Sequence, residues 1–425
     1  MVIHSFVLAL SILGHQHSSL TTDERTQALK DIKAKVSSGY VIKAKREAVI
    51  ARLDSSAKQG LYNTSDPVQF AQRITRDFQA VTQDKHLYLD YNPAWYKAAL
   101  APKDPNTASV DNAAEVEISH MTNHGITEMK VLTGNIRYLK IEGFGWIEDE
   151  TPLVYDGAMR FLKGGDAIII DLRGNTGGWT QAAKYLISHF LDGDTLYGTF
   201  VFADGHTEQQ RTLDHVPVGR IKGKPLYVLV DNGTRSAGEQ VAYNVRQFKL
   251  GELVGETTAG ASYSTDEVPI APGFRLSYSI SEEIHPIDKV GWEVIGVKPT
   301  IAVSPATALD VAQLHAMDKL LPTAKGISKN QLAWAKPAIQ AALSPVTLSE
   351  QELAAYVGTY GVVSVVLKGK SLWLNRPDRD PAELKAMTRD GLFQAVGIDS
   401  LRVQFSRNQL EILRPDPEMN RTFKK

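Results

Sequence analysis

Two short runs constrain the fold more than any other part of the chain: AIIID at Ala167–Asp171 and LYVLV at Leu226–Val230. Apolar runs of this length, without polar alternation, fit strands buried on both faces. Each is followed by turn residues and then by helical spacing: Ala182, Tyr185, Leu186 and Phe190 after the first, Ala237, Val241, Ala242, Val245 and Phe248 after the second. Ile136–Ile141 reads as a further strand, and a helix opens at Thr151-Pro152 and stops at Gly164-Gly165. Leu196–Arg211 reads as a hairpin turning at Asp204-Gly205. Leu253-Val254 and Phe274–Ile280 read as strands, and Gly291–Val303 closes the unit. Strands and helices alternating in this way imply an α/β sheet with parallel pairs and crossover helices.

The flanks differ in character. Residues 21–83 read as a helical module. Thr21 or Thr22 caps the first helix ahead of Leu29, Ile32 and Val36, the second runs from Lys43 to Ala57, and Asp66-Pro67 opens the third through Phe70, Ile74, Phe78 and Val81. Asp84-Lys85-His86 then leads into the alternating strand Leu87–Tyr91, and 96–115 reads as an irregular loop. The sheet unit spans 84–322, and 323–346 is a helical connector. Residues 347–425 read as a small antiparallel β domain with strands at Gly361–Leu367, Ser371–Asn375, Gly391–Val396, Arg402–Ser406 and Gln409–Leu413.

Composition excludes several classes. Lys and Arg total 47 against 48 Asp and Glu, so no basic surface points to nucleic acid. The absence of cysteine removes thiol nucleophiles, disulfides and Cys-ligated zinc. Within residues 1–20, the run Phe6–Leu13 is too short to span a bilayer. It has the length of a secretory-signal core, although no Lys or Arg precedes it and no small-x-small cleavage site is clear. A periplasmic or secreted protein is expected, otherwise a cytoplasmic one whose N-terminal segment is ordinary.

Chemistry concentrates around Ser236. It lies between the Asp231-Asn232-Gly233-Thr234 turn and a helix start, where a sharp turn exposes a hydroxyl and free helix N–H groups favour an adjacent oxyanion. The same position also suits a plain N-cap. A second turn, Asp171-Leu172-Arg173-Gly174-Asn175-Thr176-Gly177-Gly178, follows a strand and precedes a helix. Its glycine spacing is neither a dinucleotide fingerprint nor a P-loop. It can supply oxyanion donors from Gly177 or Gly178 opposite the N–H of Ala237.

AIIIDLRGNTGG, SAGE and VGETTAG, in this order and spacing, resemble the C-terminal processing peptidase family of serine proteases (S41), which includes the tricorn core and the interphotoreceptor retinoid-binding proteins. The likeness runs from about Asp84 to Val303. It implies a crotonase-like core of ββα units and a peptide or protein substrate. Members with a Ser–Lys dyad carry the lysine just after G-x-T-T-x-G, where this chain has Ala261, and no PDZ-type carboxylate-binding loop is evident between Tyr91 and Ile136. The sequence is therefore more similar to the tricorn and retinoid-binding-protein branch. That resemblance implies His86 as base and Glu293 as the residue orienting the catalytic machinery. Lys85 stands where the tricorn-type tetrad has serine, so a Ser–His–Glu triad is expected rather than a tetrad.

In chemical terms this is acyl transfer: His86 takes the proton of Ser236, Glu293 fixes the histidine directly or through an intermediary, and Ala237 with Gly177 or Gly178 holds the oxyanion. Two other classes remain open, a carrier of hydrophobic ligands on the retinoid-binding scaffold and an esterase-type hydrolase. Glu282, Glu283 and Glu256 compete with Glu293, and Lys224 and Lys249 are weaker candidates for a base. Glu239 suits the start of its helix better than it suits chemistry. Trp179, directly after the glycines, is a candidate subsite, whereas Trp146 more simply packs. His120 and His124 stand four apart, as two ligands on one helix would, but no acidic third ligand stands at a telling spacing. No metal, cofactor or stable membrane span is expected, and the sequence leaves the oligomeric state open.

Overall fold

The computed structural model describes residues 19–101 and 113–425, so the segment read as a signal lies almost wholly outside the described residues. The chain divides into two compact units, each assembled from separated stretches. The first unit takes the N-terminal segment to Asn112, Leu196–Arg211 and Gly260–Gly296; the second takes the remainder.

The first unit has three helices, Thr22–Gly39, Lys43–Lys58 and Pro67–Thr82, and the first and third begin where side chains satisfy their open N–H groups. Thr21 and Glu24 form a reciprocal capping box. Asp66 accepts from the N–H groups of Val68 and Gln69, with Pro67 at the first helical position. The stripes Ala28, Ile32, Val36 and Phe70, Ile74, Phe78 are fully buried, together with Tyr40, Leu53 and the strand residues Phe274 and Leu276. The long strand Phe274–Ile284 organises an antiparallel sheet, pairing with Tyr88–Tyr91, Ser264–Ile270 and Leu196–Phe202. Leu196–Phe202 turns back into Thr207–Arg211.

The second unit holds the two apolar runs side by side. Its six-stranded sheet has the order Ile301–Ala302, Glu252–Gly255, Leu226–Val230, Ala167–Asp171, Ile136–Ile141, Ile126–Leu132, parallel throughout except for the last pair. Both central strands are buried at every position, which is why they lack alternation. Tyr138, Ile169, Tyr227 and Val254 pack on Ala308, Ala312, Ala316 and Met317 of the helix Ala308–Leu320. Helices Thr151–Lys163 and Ala237–Gln247 also pack on the sheet. After helix Gly326–Leu343, eight antiparallel strands between Gly358 and Lys424 pair in sequence order as a barrel-like sheet around Val365, Leu374, Phe393, Val403 and Leu410.

Several elements go beyond the sequence reading. The stretch read as a loop contains helices Pro93–Ala99 and Ala113–Met121 at its described ends. Ile126–Leu132 is a strand at the sheet edge, so most of its side chains meet solvent and the apolar signal is weak. Ser264–Ile270 carries Asp266, Glu267 and Pro269, a composition suited to an edge, and it pairs only with Phe274–Ile284. Helix Ala308–Leu320 and the barrel strands Gly358–Tyr360, Arg379–Ala386 and Arg421–Lys424 were likewise not evident from the residues alone.

Phe274 anchors the first unit: it is fully buried and its ring meets Phe70 at 5.5 Å and Tyr91 at 5.3 Å. Phe274→Ala is expected to destabilise this unit by about 3–5 kcal/mol, as truncations of buried aromatics do. Denaturant unfolding checks this, and a loss below about 1 kcal/mol would contradict the packing described.

Candidate functional site

Ser236 occupies the junction between Leu226–Val230 and helix Ala237–Gln247 with φ 51° and ψ −123°. An ordinary N-cap residue has an extended backbone. This conformation is one that glycine adopts and serine does so only under strain, as nucleophiles on sharp strand-to-helix turns do. Its neighbours hold it there. Glu239, fully buried, accepts from Ser236 N–H at 3.1 Å and from Thr258 Oγ1 at 2.5 Å. Thr258 Oγ1 in turn accepts from Val297 N–H at 2.7 Å. The SAGE and VGETTAG motifs are therefore two halves of one support. Asp231 Oδ1 organises the turn itself, accepting from the N–H groups of Gly233, Thr234 and Gly174.

The glycine loop lies against this serine. At Gly177, φ is 86° and a Cβ would stand 2.7 Å from Ser236 Cβ and 3.2 Å from its Oγ, so only glycine fits. The loop is anchored at its start by buried Asp171, whose carboxylate accepts from Arg173 N–H, Arg173 Nε and Tyr138 Oη. Asn175, fully buried, donates from its side chain to Ile141 O and accepts from Gly177 N–H at 2.8 Å. Gly177 N–H is thus engaged, whereas the N–H groups of Gly178 and Ala237 have no hydrogen-bond acceptor among the described residues. A backbone bridge fastens the loop to the neighbouring segment: Phe144 N–H donates to Gly177 O and Trp179 N–H to Phe144 O, both at 2.8 Å. Trp179 is exposed at the start of its helix.

His86 and Glu293 belong to the first unit. His86 stands in a turn before the strand Tyr88–Tyr91, its ring half-buried. Its backbone N–H donates to Asp84 Oδ1 at 2.8 Å, the same oxygen lies 4.0 Å from its Nδ1, and its carbonyl accepts from Ser277 Oγ at 2.9 Å. Asp84 is itself buried and its other oxygen accepts from Ser279 Oγ at 2.6 Å. It is the residue that the sequence reading passed over; the D-x-H spacing, which suits a side chain capping the N–H two residues on, was the available signal. Glu293 accepts from Ser262 N–H at 2.5 Å and from Ser262 Oγ at 3.2 Å. Burial pushes its carboxyl up to about 7, with the charge of Asp84 adding to the rise and the Ser262 N–H opposing it. The next residue, Val294, has φ 65°, a rare conformation for a β-branched side chain, and its N–H donates to Gly260 O at 3.0 Å.

Sequence spacing shows no acidic partner for His120 and His124, but the fold brings one to them. Glu150 folds back onto them from the next connection, and one ligand atom from each of the three lies within 4.8 Å of the others. The histidines do not share a helix face, since the helix ends at Met121 and His124 has left-handed backbone angles.

Residues 135–303 match peptidase family S41. Among curated proteins, the carboxy-terminal processing protease CtpB of Bacillus subtilis is 28% identical over 181 residues, covering 42% of this chain and 36% of its own length. The carboxyl-terminal-processing protease of Picosynechococcus is 31% identical over 231 residues, covering 52% of this chain and 54% of its own length. The chain thus spans between about a third and about half of these relatives. Of solved structures, the photosystem II D1 C-terminal processing protease aligns at 16% identity with a TM-score of 0.46, over 68% of this chain and 95% of its own. No described helix is long and apolar enough to cross a membrane.

Glu293 gives a stability signature. A carboxyl raised from 4.5 to about 7 favours the folded state while it is protonated. That contribution is complete below about pH 4.5 and is lost as the pH rises through about 7, an effect of up to about 3 kcal/mol. The stability difference between the wild type and Glu293→Gln should change over that interval; a pH-independent difference would show that the carboxyl titrates normally.

Proposed function

We propose that this protein is a serine peptidase acting through an acyl-enzyme on Ser236, on the crotonase-like core that the family likeness implies. The observation that carries the reading is the strained Ser236 backbone at the head of a helix, held by a buried carboxylate and faced by a glycine loop. A structural cap does not require that strain, whereas presenting a hydroxyl beside oxyanion donors does. In the proposed reaction His86 withdraws the Ser236 proton as the oxygen attacks the scissile carbonyl, then returns it to the leaving amine. The carbonyl oxygen, now anionic, takes hydrogen bonds from Ala237 and from the Gly177–Gly178 loop, where the unengaged Gly178 N–H is the better donor. Water repeats the sequence on the acyl-serine.

Glu293 serves as the orienting residue of this proposal. Asp84 shares the task of fixing His86, since it already holds the backbone of that turn. Trp179 is assigned to a substrate subsite. The substrate class is a peptide or protein, as for the processing proteases this chain is similar to, and no cofactor is required. The reading of residues 1–20 as an export segment goes with a periplasmic or secreted location.

A fluorophosphonate probe tests the nucleophile. It should label the wild type and not Ser236→Ala; equal labelling of both, or none of either, sinks the assignment. His86→Ala should lower kcat/KM by about 100- to 10,000-fold, the usual contribution of a general base. For the wild type, kcat/KM should fall as the pH drops through the histidine range near 6.5. A profile governed by a clearly higher pKa would point to a lysine instead.

A further inference from the structure

The second unit contains a cluster that the peptidase reading does not use. His120 lies in the last turn of helix Ala113–Met121, His124 in the turn that follows, and Glu150 immediately before helix Thr151–Lys163. His120 Nε2 meets Glu150 Oε2 at 2.7 Å, and the two imidazole rings are 5.9 Å apart, edge to face. His120 and Glu150 are half exposed, while His124 is only 4% exposed. Its Nδ1 is paired with Thr151 Oγ1 at 2.8 Å, a hydroxyl that also accepts from Ile147 N–H at 2.7 Å. His124 Nε2 has no hydrogen-bond partner among the described residues.

We propose that His120, His124 and Glu150 form a binding site for a zinc-class divalent cation, with Nε2 of both histidines and the Glu150 carboxylate as ligands. Two imidazoles and one carboxylate suit zinc and leave a fourth tetrahedral position for water. The distances favour it. Ligand atoms each about 2.1 Å from a tetrahedral ion stand roughly 3.4 Å apart. One ligand atom from each of the three residues already lies within 4.8 Å of the others, and the 2.7 Å pair needs only a small opening of two exposed side chains. His124 is already oriented as metal-bound histidines are. Its Nδ1 is fixed by a neighbour that the fold itself holds, which directs Nε2 toward the ion. A surface His–Glu contact alone would not require a buried second histidine beside it.

The site sits on the support of the glycine loop. A Cβ on Gly145 would meet Ser119 Oγ at 2.8 Å and His124 Cα at 3.4 Å, so the Phe144–Trp146 segment packs directly on the histidine turn. Gly125 O accepts from Glu142 N–H, Glu142 O accepts from Thr176 N–H, and Phe144 is bridged to Gly178. An ion joining His120 and His124 to Glu150 would close the 142–151 connection onto the helix end. It would thereby brace the segment on which Gly177 and Gly178 rest.

Equilibrium dialysis and calorimetry with zinc alone, and visible spectra with cobalt, read the site without any activity assay. One ion per chain is expected, with an intense tetrahedral cobalt spectrum and a zinc-dependent rise in melting temperature. His120→Ala and Glu150→Gln change exposed side chains, so they leave the fold intact. Each should weaken binding by at least about 10- to 100-fold, the loss found when residues that merely orient ligands are removed. Ser236→Ala should bind zinc as the wild type does. If the wild type binds no more tightly than His120→Ala and Glu150→Gln, or its cobalt spectrum is octahedral and unchanged by the substitutions, the site is not there. A chain that binds zinc but resists the fluorophosphonate would overturn the peptidase reading and leave this one standing.

Discussion

The geometry of the serine turn depends on one buried carboxylate. Glu239 has no exposed surface, and an uncompensated charge there would cost several kcal/mol. It is compensated by the Ser236 N–H, by the Thr258 hydroxyl and by its place in the first turn of a helix, where the backbone dipole favours negative charge. Those contacts tie the helix start to the strand end that follows it some twenty residues later, and Thr258 passes the restraint on to Val297. Strain in one residue persists only where its surroundings over-determine it. Here the surroundings are a carboxylate, a hydroxyl and a packed glycine loop, each fixed by further bonds.

The first unit supplies a different environment. Asp84 is buried and Glu293 half-buried, and the charge of Asp84 contributes to keeping the Glu293 carboxyl half-protonated near neutral pH. Asp84 takes two hydrogen bonds, from the His86 backbone and from Ser279. Asp84 anchors a turn as an acceptor, while Glu293 can either donate or accept.

Much of this was legible in the residues. The two buried strands, the capped helices and the strand–turn–helix at Ser236 depend on local rules of period, capping and turn chemistry, and they form where those rules put them. Two edge strands whose residues are mostly polar or exposed were not legible. Ile126–Leu132 and Ser264–Ile270 are edge strands, whose polar residues are a consequence of their position in a sheet. The contact of Asp84 with Ser279 and the meeting of Glu150 with His120 and His124 were hidden for a related reason. They are contacts of the folded chain, across 30 residues for His120 and Glu150, and no periodicity encodes them. The pairing of the first unit's hairpin with the Phe274–Ile284 strand, some eighty residues later, has the same origin.

The glycine loop places its two candidate donors in different surroundings. Spacing alone makes Gly177 and Gly178 equivalent donors. In the fold they divide the work. Gly177 is the residue in contact with Ser236, its missing side chain making room for the serine and its N–H tied to Asn175. Gly178 has φ 129°, and a Cβ there would meet Phe144 O at 2.4 Å, so it is glycine for the sake of the bridge to Phe144. That bridge uses the Gly177 carbonyl and the Trp179 N–H, one on each side, and leaves the Gly178 N–H unused. A parallel bridge engages alternate residues of a strand, so the residue skipped by the ladder keeps its donor available. Asn175 then decides the matter. By occupying the Gly177 N–H it leaves Gly178 as the loop's free donor, and an Asn at that place in the loop is as necessary to the arrangement as the glycines.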